Sequence, residues 1–463
     1  MKLDVSVKNL GQIREATFNI RPMTVITGPN GTGKSFFTKS LYSILNVINK
    51  NVYHEKVNQT IRQTQLQLDI LKSNIKYIGA HDFETVSKIQ AALEQLKTEF
   101  EDASSWKIDD YLAFAISKVI TVETIKKLYE DYLHELNKKP SKKESIRSIS
   151  EAINKNFGFF LLHLKSPEKY YSIFFAINFE DELKENFQIS DIDQLISFGQ
   201  DKIHLNIDGL LEIELEGNKK ISVEMGSDFI DDVKKLSSVI FFESPAYWKV
   251  RDALNRAKDY PSRPLLIGKK KSDLLTGVPK YFYDLDIALN SKTKTENSFK
   301  SATDLLGGAI EGEFVFSGGS LVYTDNAGRE ISKNLVSFGM TNLGMIQALL
   351  KHNIVTQGSF IFIDEPETNL HPDWQVKLME VLLVLAQEGV TVVITTHSSD
   401  LIKALEVKIK KQAIEVMEDF LSVHFVDVGG KLLEFDSEDK LQQLIEARGL
   451  LNLAYEELYF SDL

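Results

Sequence analysis

Hydrophobic and polar residues alternate from the first positions of the chain. Leu3, Val5 and Val7 are separated by Asp4 and Ser6, the period of a strand with one buried face. Three short strands are expected across residues 3–27. Leu10-Gly11-Gln12 turns the chain after the first, and Arg21-Pro22 breaks it before the third. A helix is expected from Lys34 to about Asn49. From Val57 to Glu185 apolar residues recur at three- and four-residue spacing, as at Ile61, Leu66, Ile70, Leu71 and Ile75, and again at Ile89, Leu93 and Leu96. The heptads are too irregular for a long two-stranded coiled coil. A compact helical insertion is expected, with Pro140 and its lysine neighbours marking a loop inside it.

The period then returns to two. Ile203-His204-Leu205-Asn206-Ile207, Leu211-Glu212-Ile213-Glu214-Leu215 and Ile221-Ser222-Val223-Glu224-Met225 alternate, with a turn at Glu216-Gly217-Asn218-Lys219. Val239-Ile240-Phe241-Phe242 reads as a buried strand, residues 262–300 as loop-rich, and Phe314–Phe316 with Leu321–Tyr323 as a hairpin around Gly318-Gly319. Phe360–Ile363 and Val390–Thr395 are continuous apolar, β-branched runs flanking a helix from Pro372 to about Gln387. Strands of a parallel sheet, buried on both faces, have this pattern. After them a hairpin (Val423–Asp427, Gly429-Gly430, Leu432-Leu433) and two short helices are expected.

Composition narrows the class. The chain has 463 residues and no cysteine, which excludes disulfides and thiolate zinc sites. No run of about 18 uncharged apolar residues occurs, so no membrane span is expected. The start lacks a signal peptide's apolar stretch, and a cytoplasmic location is expected. With Lys+Arg 54 against Asp+Glu 66, the net charge is −12, which gives no general argument for nucleic-acid binding. The clusters Lys138-Lys139-Pro140-Ser141-Lys142-Lys143 and Lys269-Lys270-Lys271 read as solvated surface.

Chemistry enters at residues 28–35. Gly28-Pro29-Asn30-Gly31-Thr32-Gly33-Lys34-Ser35 is a complete phosphate-binding loop between a strand and a helix. The backbone of Asn30, Gly31, Thr32 and Gly33 would cradle a polyphosphate, Lys34 would reach its β/γ end, and Ser35 would join a Mg²⁺ shell. Phe360-Ile361-Phe362-Ile363-Asp364-Glu365 is a Walker B strand, with Asp364 for Mg²⁺ and Glu365 as general base for water. His397 ends the next apolar strand, where a histidine can contact a γ-phosphate. Ser337 and Gly339, in Leu335-Val336-Ser337-Phe338-Gly339-Met340, match two positions of a Leu-Ser-Gly-Gly-Gln signature and open an apolar helix. Alone they describe an ordinary N-capped helix; their order between the other motifs gives them weight.

These motifs, with Asp364-Glu365-Pro366-Glu367-Thr368-Asn369-Leu370-His371-Pro372 and Thr396-His397-Ser398, resemble soluble ATP-binding-cassette (ABC) ATPases. The resemblance is to the group of SMC-like, RecF-like and overcoming-lysogenization-defect (OLD) proteins. It implies an α/β fold: an ABC-type P-loop ATPase head of mixed and parallel sheet plus an antiparallel β lobe, with a helical insertion. Residues 1–50 would be the N-terminal lobe with Walker A, and 51–190 the insertion. Residues 191–330 would form the antiparallel and loop-rich part, 331–430 the signature, Walker B and switch-histidine lobe, and 431–463 a helical tail. Phe338 and Met340 depart from the family's signature. The segment Phe242–Trp248 is where a Q-loop would lie, and no adenine-stacking aromatic is assigned.

The resemblance further implies ATP with Mg²⁺, and a homodimer or higher homo-oligomer in which Ser337 and Gly339 cap the nucleotide of a second copy. Small members of the group are ATPase subunits of anti-phage pairs such as PARIS, Septu and abortive-infection systems, whose effector is a separate protein. No Toprim-like acidic cluster or RNase pattern follows His397, so a separately encoded effector such as a nuclease is expected as partner. DNA is the alternative partner, as for a repair or DNA-end-binding ATPase. The segment after Glu365 and the large insertion argue against a transporter motor, and no membrane partner is expected.

Overall fold

The computed structural model describes residues 2–74, 80–106, 108–138, 143–217, 220–226, 236–243, 246–259, 277–290, 297–317, 320–411 and 417–461. The chain divides into two compact units, residues 1–49 with 179–463, and residues 50–178.

Among the described residues the larger unit carries all the strands. In chain order they begin with β1 (Leu3–Leu10), β2 (Ile13–Ile20), β3 (Met23–Thr27) and β4 (Lys202–Ile207). Next come β5 (Leu211–Glu216), β6 (Lys220–Met225), β7 (Val239–Phe242), β8 (Gly312–Ser317) and β9 (Ser320–Asp325). The last are β10 (Glu330–Ser332), β11 (Phe360–Asp364), β12 (Thr391–Thr396) and β13 (Leu421–Phe425). One sheet runs β2-β1-β4-β5-β6 and is antiparallel throughout. Its strands alternate because only one face is packed, with Leu3, Val5 and Val7 buried. A small antiparallel sheet runs β10-β9-β8.

The third sheet, β13-β3-β12-β11-β7, is parallel at every pairing. All residues of β3 and β12 are buried, as their unbroken apolar runs predict. Helix Lys34–Asn49 lies against β7, β11 and β12, with Tyr42 edge-on to Phe241 and Phe362. Register places Thr27 beside Thr396 and Asp364 beside Thr395. The loops leaving β3, β11 and β12 therefore emerge at one edge, the usual ligand edge of a parallel sheet.

The smaller unit is helical: Val52–Asn74, Ala80–Asp102, Ile108–Ser117, Val119–Leu136, Lys143–Lys165 and the start of Pro167–Phe187. Val52–Asn74 packs on Ala80–Asp102 and Lys143–Lys165. Tyr53, Phe100, Tyr111 and Phe160 fill its core. Among the described residues no helix is long and apolar enough to cross a membrane.

The hairpin expected from Val423 forms, and its first strand has a second role. β13 is wholly buried and pairs parallel to β3, while Leu433 N–H donates to Phe425 O at 2.8 Å and Asp427 N–H to Lys431 O at 2.9 Å around the bridge Val426↔Leu432. A strand buried along its whole length is worth more to the central sheet than to a two-stranded ribbon. The two short helices expected after His397 are Ser399–Lys410 and the longer Lys440–Ser461; Gly449 sits inside the second in open space and does not break it. Within residues 262–300, Lys280–Asn290 is a helix that buries Tyr281, Phe282, Leu285 and Leu289, its apolar face masked in the sequence by interleaved Asp and Lys. The Pro140 loop, Lys269–Lys271, Ile75, Asn218-Lys219, Ser244-Pro245 and Gly318-Gly319 lie outside the described residues.

Candidate functional site

β3 ends at Thr27, whose hydroxyl donates to the Thr396 carbonyl at 2.8 Å, tying the first and last loops of the site together. The phosphate loop follows. Gly31 (φ 77°) and Gly33 (φ 99°) adopt left-handed backbone that side chains resist. A Cβ at Gly33 would meet Ile13 at 2.8 Å, whereas the place of one at Gly31 is open space. Asn30 and Gly31 are exposed and Thr32 is buried, its hydroxyl on the Pro29 carbonyl at 3.1 Å. Lys34 begins the helix and is buried, curled onto its own loop with Nζ donating to Pro29 O at 2.6 Å and Gly28 O at 2.9 Å. Burial pulls its ammonium down to about 8, against the opposing pull of the Asp364, Glu365 and Glu367 carboxylates.

Ser35, one residue into the helix, donates from Oγ to Asp364 Oδ1 at 3.2 Å. Thr395, on the neighbouring strand, also donates its hydroxyl to Asp364 Oδ1. A hydroxyl and a carboxylate oxygen in contact, at the mouth of a phosphate loop, are a donor set suited to Mg²⁺. Among the described residues no group of three or more acidic, His or Cys side chains forms a metal cage. A cation here would draw its remaining oxygens from phosphate and water, the usual arrangement for Mg²⁺ beside a polyphosphate.

Glu365 stands just beyond β11 in left-handed backbone (φ 51°), unusual for a side-chain-bearing residue. Its N–H donates to the Thr395 carbonyl at 3.0 Å, so the ladder with β12 continues one residue past the strand. His397 Nε2 lies 3.4 Å from Glu365 Oε1. Burial lifts the Glu365 carboxyl above the usual carboxylate range; Asp364 and Glu243 add to this and Lys34 opposes it. Burial and the nearby Lys34 ammonium hold the His397 imidazole below its ordinary value, so it is neutral at pH 7. A half-exposed carboxylate beside a neutral imidazole can take a proton from water.

Ser337 and Gly339 belong to helix Phe338–Lys351. Ser337 is its N-cap, accepting the Met340 N–H at 3.1 Å. A Cβ at Gly339 would meet Asn369 O at 2.7 Å, so this helix start presses on the turn that follows Asp364-Glu365. Among the described residues no hydrogen bond or ion pair joins Ser337 to Lys34, Ser35, Asp364, Glu365 or His397.

Three polar residues of the site escape sequence reasoning. Glu243 leaves β7, the strand beside β11, and binds Lys39 Nζ at 3.0 Å and the Tyr281 hydroxyl. Thr395 was hidden inside an apolar run. Glu367 accepts from Thr396 and His397. Glu243 had a sequence signal as a carboxylate closing a buried strand, and Glu367 as a member of the Asp364–Pro372 block. A cavity of about 1000 Å³ opens beside Gly31 and is also lined by Gly11, Gln12, Phe36 and Phe198, the last 99% exposed.

A family described as AAA ATPase domain matches residues 1–402. Old nuclease of Escherichia phage P2 is 30% identical over 156 residues, 33% of this chain and 25% of that protein. The chain thus spans a quarter of the length of the curated relative it matches. Among solved structures, the SMC head domain from Thermotoga maritima aligns over 94% of this chain and 100% of its own, at 10% identity and a TM-score of 0.38. MJ0796, a bacterial ABC transporter cassette in dimeric form, aligns over 50% of this chain and 73% of its own, at 17% identity and a TM-score of 0.23.

Proposed function

The chain belongs to the AAA ATPase domain family and is an ATPase; on that footing we propose that it closes as a dimer around ATP and thereby controls a separately encoded effector. The observation that carries this reading is the convergence of Ser35 and Asp364, 329 positions apart, beside Lys34, Glu365 and His397.

In this reading the backbone of Asn30, Gly31, Thr32 and Gly33 and the helix N-terminus receive the phosphates of ATP. Lys34 exchanges its carbonyl partners at Gly28 and Pro29 for phosphate oxygens, whose negative charge favours the ammonium that burial disfavours. Ser35 and Asp364 would hold Mg²⁺, which supplies charge neutralisation at the phosphates when bound. Glu365 accepts the proton of the attacking water, and its raised basicity suits that task. His397 steadies Glu365 and reports the terminal phosphate. The cavity beside Gly31 has room for the nucleoside.

Ser337 and Gly339 serve the nucleotide of a second copy. Ser337 Oγ accepts from Met340 and so keeps its own O–H free to donate to an anion. The helix Phe338–Lys351 adds the positive end of its dipole there.

The effector reading draws on the match to a protein named a nuclease, three quarters of which lies outside the matched part. We read this chain as the sensor or scaffold of an anti-phage pair in the cytoplasm, acting on a separate nuclease. The test is to purify it from its native neighbourhood with its co-purifying protein and add ATP-Mg²⁺. Release or activation of a nuclease by the wild type, absent with Lys34→Ala, supports the reading. ATPase activity stimulated by DNA ends, with no effector bound, would replace it with the DNA-end-binding alternative.

A further inference from the structure

Glu367 lies in the turn that follows Glu365, closed by Thr368 N–H to Glu365 O at 3.0 Å and Leu370 N–H to Glu367 O at 2.9 Å. Its side chain does not take part in the Ser35–Asp364 contact; it reaches across to the loop leaving β12. One oxygen, Oε1, accepts the Thr396 hydroxyl at 2.8 Å and the His397 backbone N–H at 2.9 Å. The other, Oε2, is buried with no hydrogen-bond partner among the described residues. A buried carboxylate oxygen left without a donor is costly, and the turn accepts that cost to place Oε1 on two donors of the neighbouring loop.

The same two loops are joined a second time further on. Ser398 Oγ donates to Gln375 Oε1 at 3.0 Å, and Gln375 Nε2 donates to Leu370 O at 3.2 Å. That second tie fixes the cap of helix Ser399–Lys410. Among the described residues Glu367 is the acceptor for the His397 N–H, while Thr27 Oγ holds the other end of that peptide through the Thr396 carbonyl at 2.8 Å.

We propose that Glu367 is a positioning residue that clamps the first peptide beyond β12 and so keeps His397 against Glu365. The proposal rests on the reading that Glu365 and His397 act in ATP hydrolysis. The His397 ring sits 3.4 Å from Glu365, and a displacement of its backbone moves the ring by a similar amount. Misplacement of about 1 Å in such a pair is enough to slow chemistry strongly. ATP binding, which falls to the phosphate loop, is left intact.

The test compares wild type, Glu367→Ala and Glu367→Gln, with Glu365→Gln and His397→Ala as references. Steady-state ATPase kinetics and hydrogen exchange across residues 394–399 are the readouts. Glu367→Ala is expected to lower kcat by about tenfold or more while KM for ATP stays within about twofold. It also loses amide protection at His397, and the strand Thr391–Thr396 keeps its own. Glu367→Gln retains an acceptor oxygen and is expected to restore kcat to within about threefold of wild type, with protection regained.

Wild-type turnover or undiminished protection in Glu367→Ala overturns the proposal. So does an equal loss of kcat in Glu367→Gln with protection kept, because charge and not position would then be what matters. If Glu365→Gln and His397→Ala both turn over normally, the reading of that pair fails instead. The exchange data then still decide whether Glu367 is the clamp.

Discussion

Ser35 Oγ and Asp364 Oδ1 meet at 3.2 Å across the edge of the parallel sheet, the hydroxyl from the helix after β3 and the carboxylate from the end of β11. The account makes this pair the protein's share of the Mg²⁺ shell. Ser35→Ala is expected to raise the Mg²⁺ concentration needed for half-maximal ATPase activity by about tenfold, with a smaller effect at saturating metal. Asp364→Asn should do the same more severely. A Mg²⁺ titration of steady-state turnover checks both, and an unchanged midpoint would remove the pair from the metal site.

The acid side of the pH–rate profile should report Glu365. Its carboxyl must be ionised to accept a proton, and burial with Asp364 and Glu243 nearby lifts it above the usual carboxylate range. Activity therefore falls as pH drops, and it falls earlier than an ordinary glutamate would require. Glu243→Gln removes one of the like charges. The acid limb of kcat should then move to lower pH, as measured across pH 4.5–8 at saturating ATP. A limb that stays in place would mean that another group sets it.

Gly339 leaves no room for a side chain, since a Cβ there would meet the Asn369 carbonyl at 2.7 Å and Trp374 at 3.1 Å. Gly339→Val is expected to destabilise the larger unit by about 1–3 kcal/mol through overpacking. A lowered urea midpoint with unchanged slope would show it. Gly308→Ala, inside helix Lys300–Ile310 and facing open space, is the control and should hold or raise the midpoint, because alanine favours a helix.

The architecture was legible where the chain obeys a period. Strict alternation announced β4 and β5, and unbroken apolar runs announced β11 and β12 as buried parallel strands. The phosphate loop was legible because its spacing is fixed by backbone geometry at Gly31 and Gly33. What stayed hidden depends on partners far away in sequence. β13 reads as half a hairpin until β3 is seen to need a neighbour. Glu243 and Glu367 stand in segments that the sequence singles out, but their partners are set by the register of β7, β11 and β12, which brings them to the site. Thr395 is concealed by its own β propensity. The helix Lys280–Asn290 was missed because its charged residues pair with one another and with neighbours, as Lys280 does with Asp284, which dilutes the apolar stripe.

The central claim is that two copies of this chain enclose ATP, with Ser337 and Gly339 of each facing the phosphate loop of the other. Sedimentation of Glu365→Gln and Lys34→Ala, each with ATP and Mg²⁺, tests it most directly. The account predicts that Glu365→Gln sediments as a stable closed dimer while Lys34→Ala stays in its nucleotide-free state. Identical sedimentation of the two variants would contradict it.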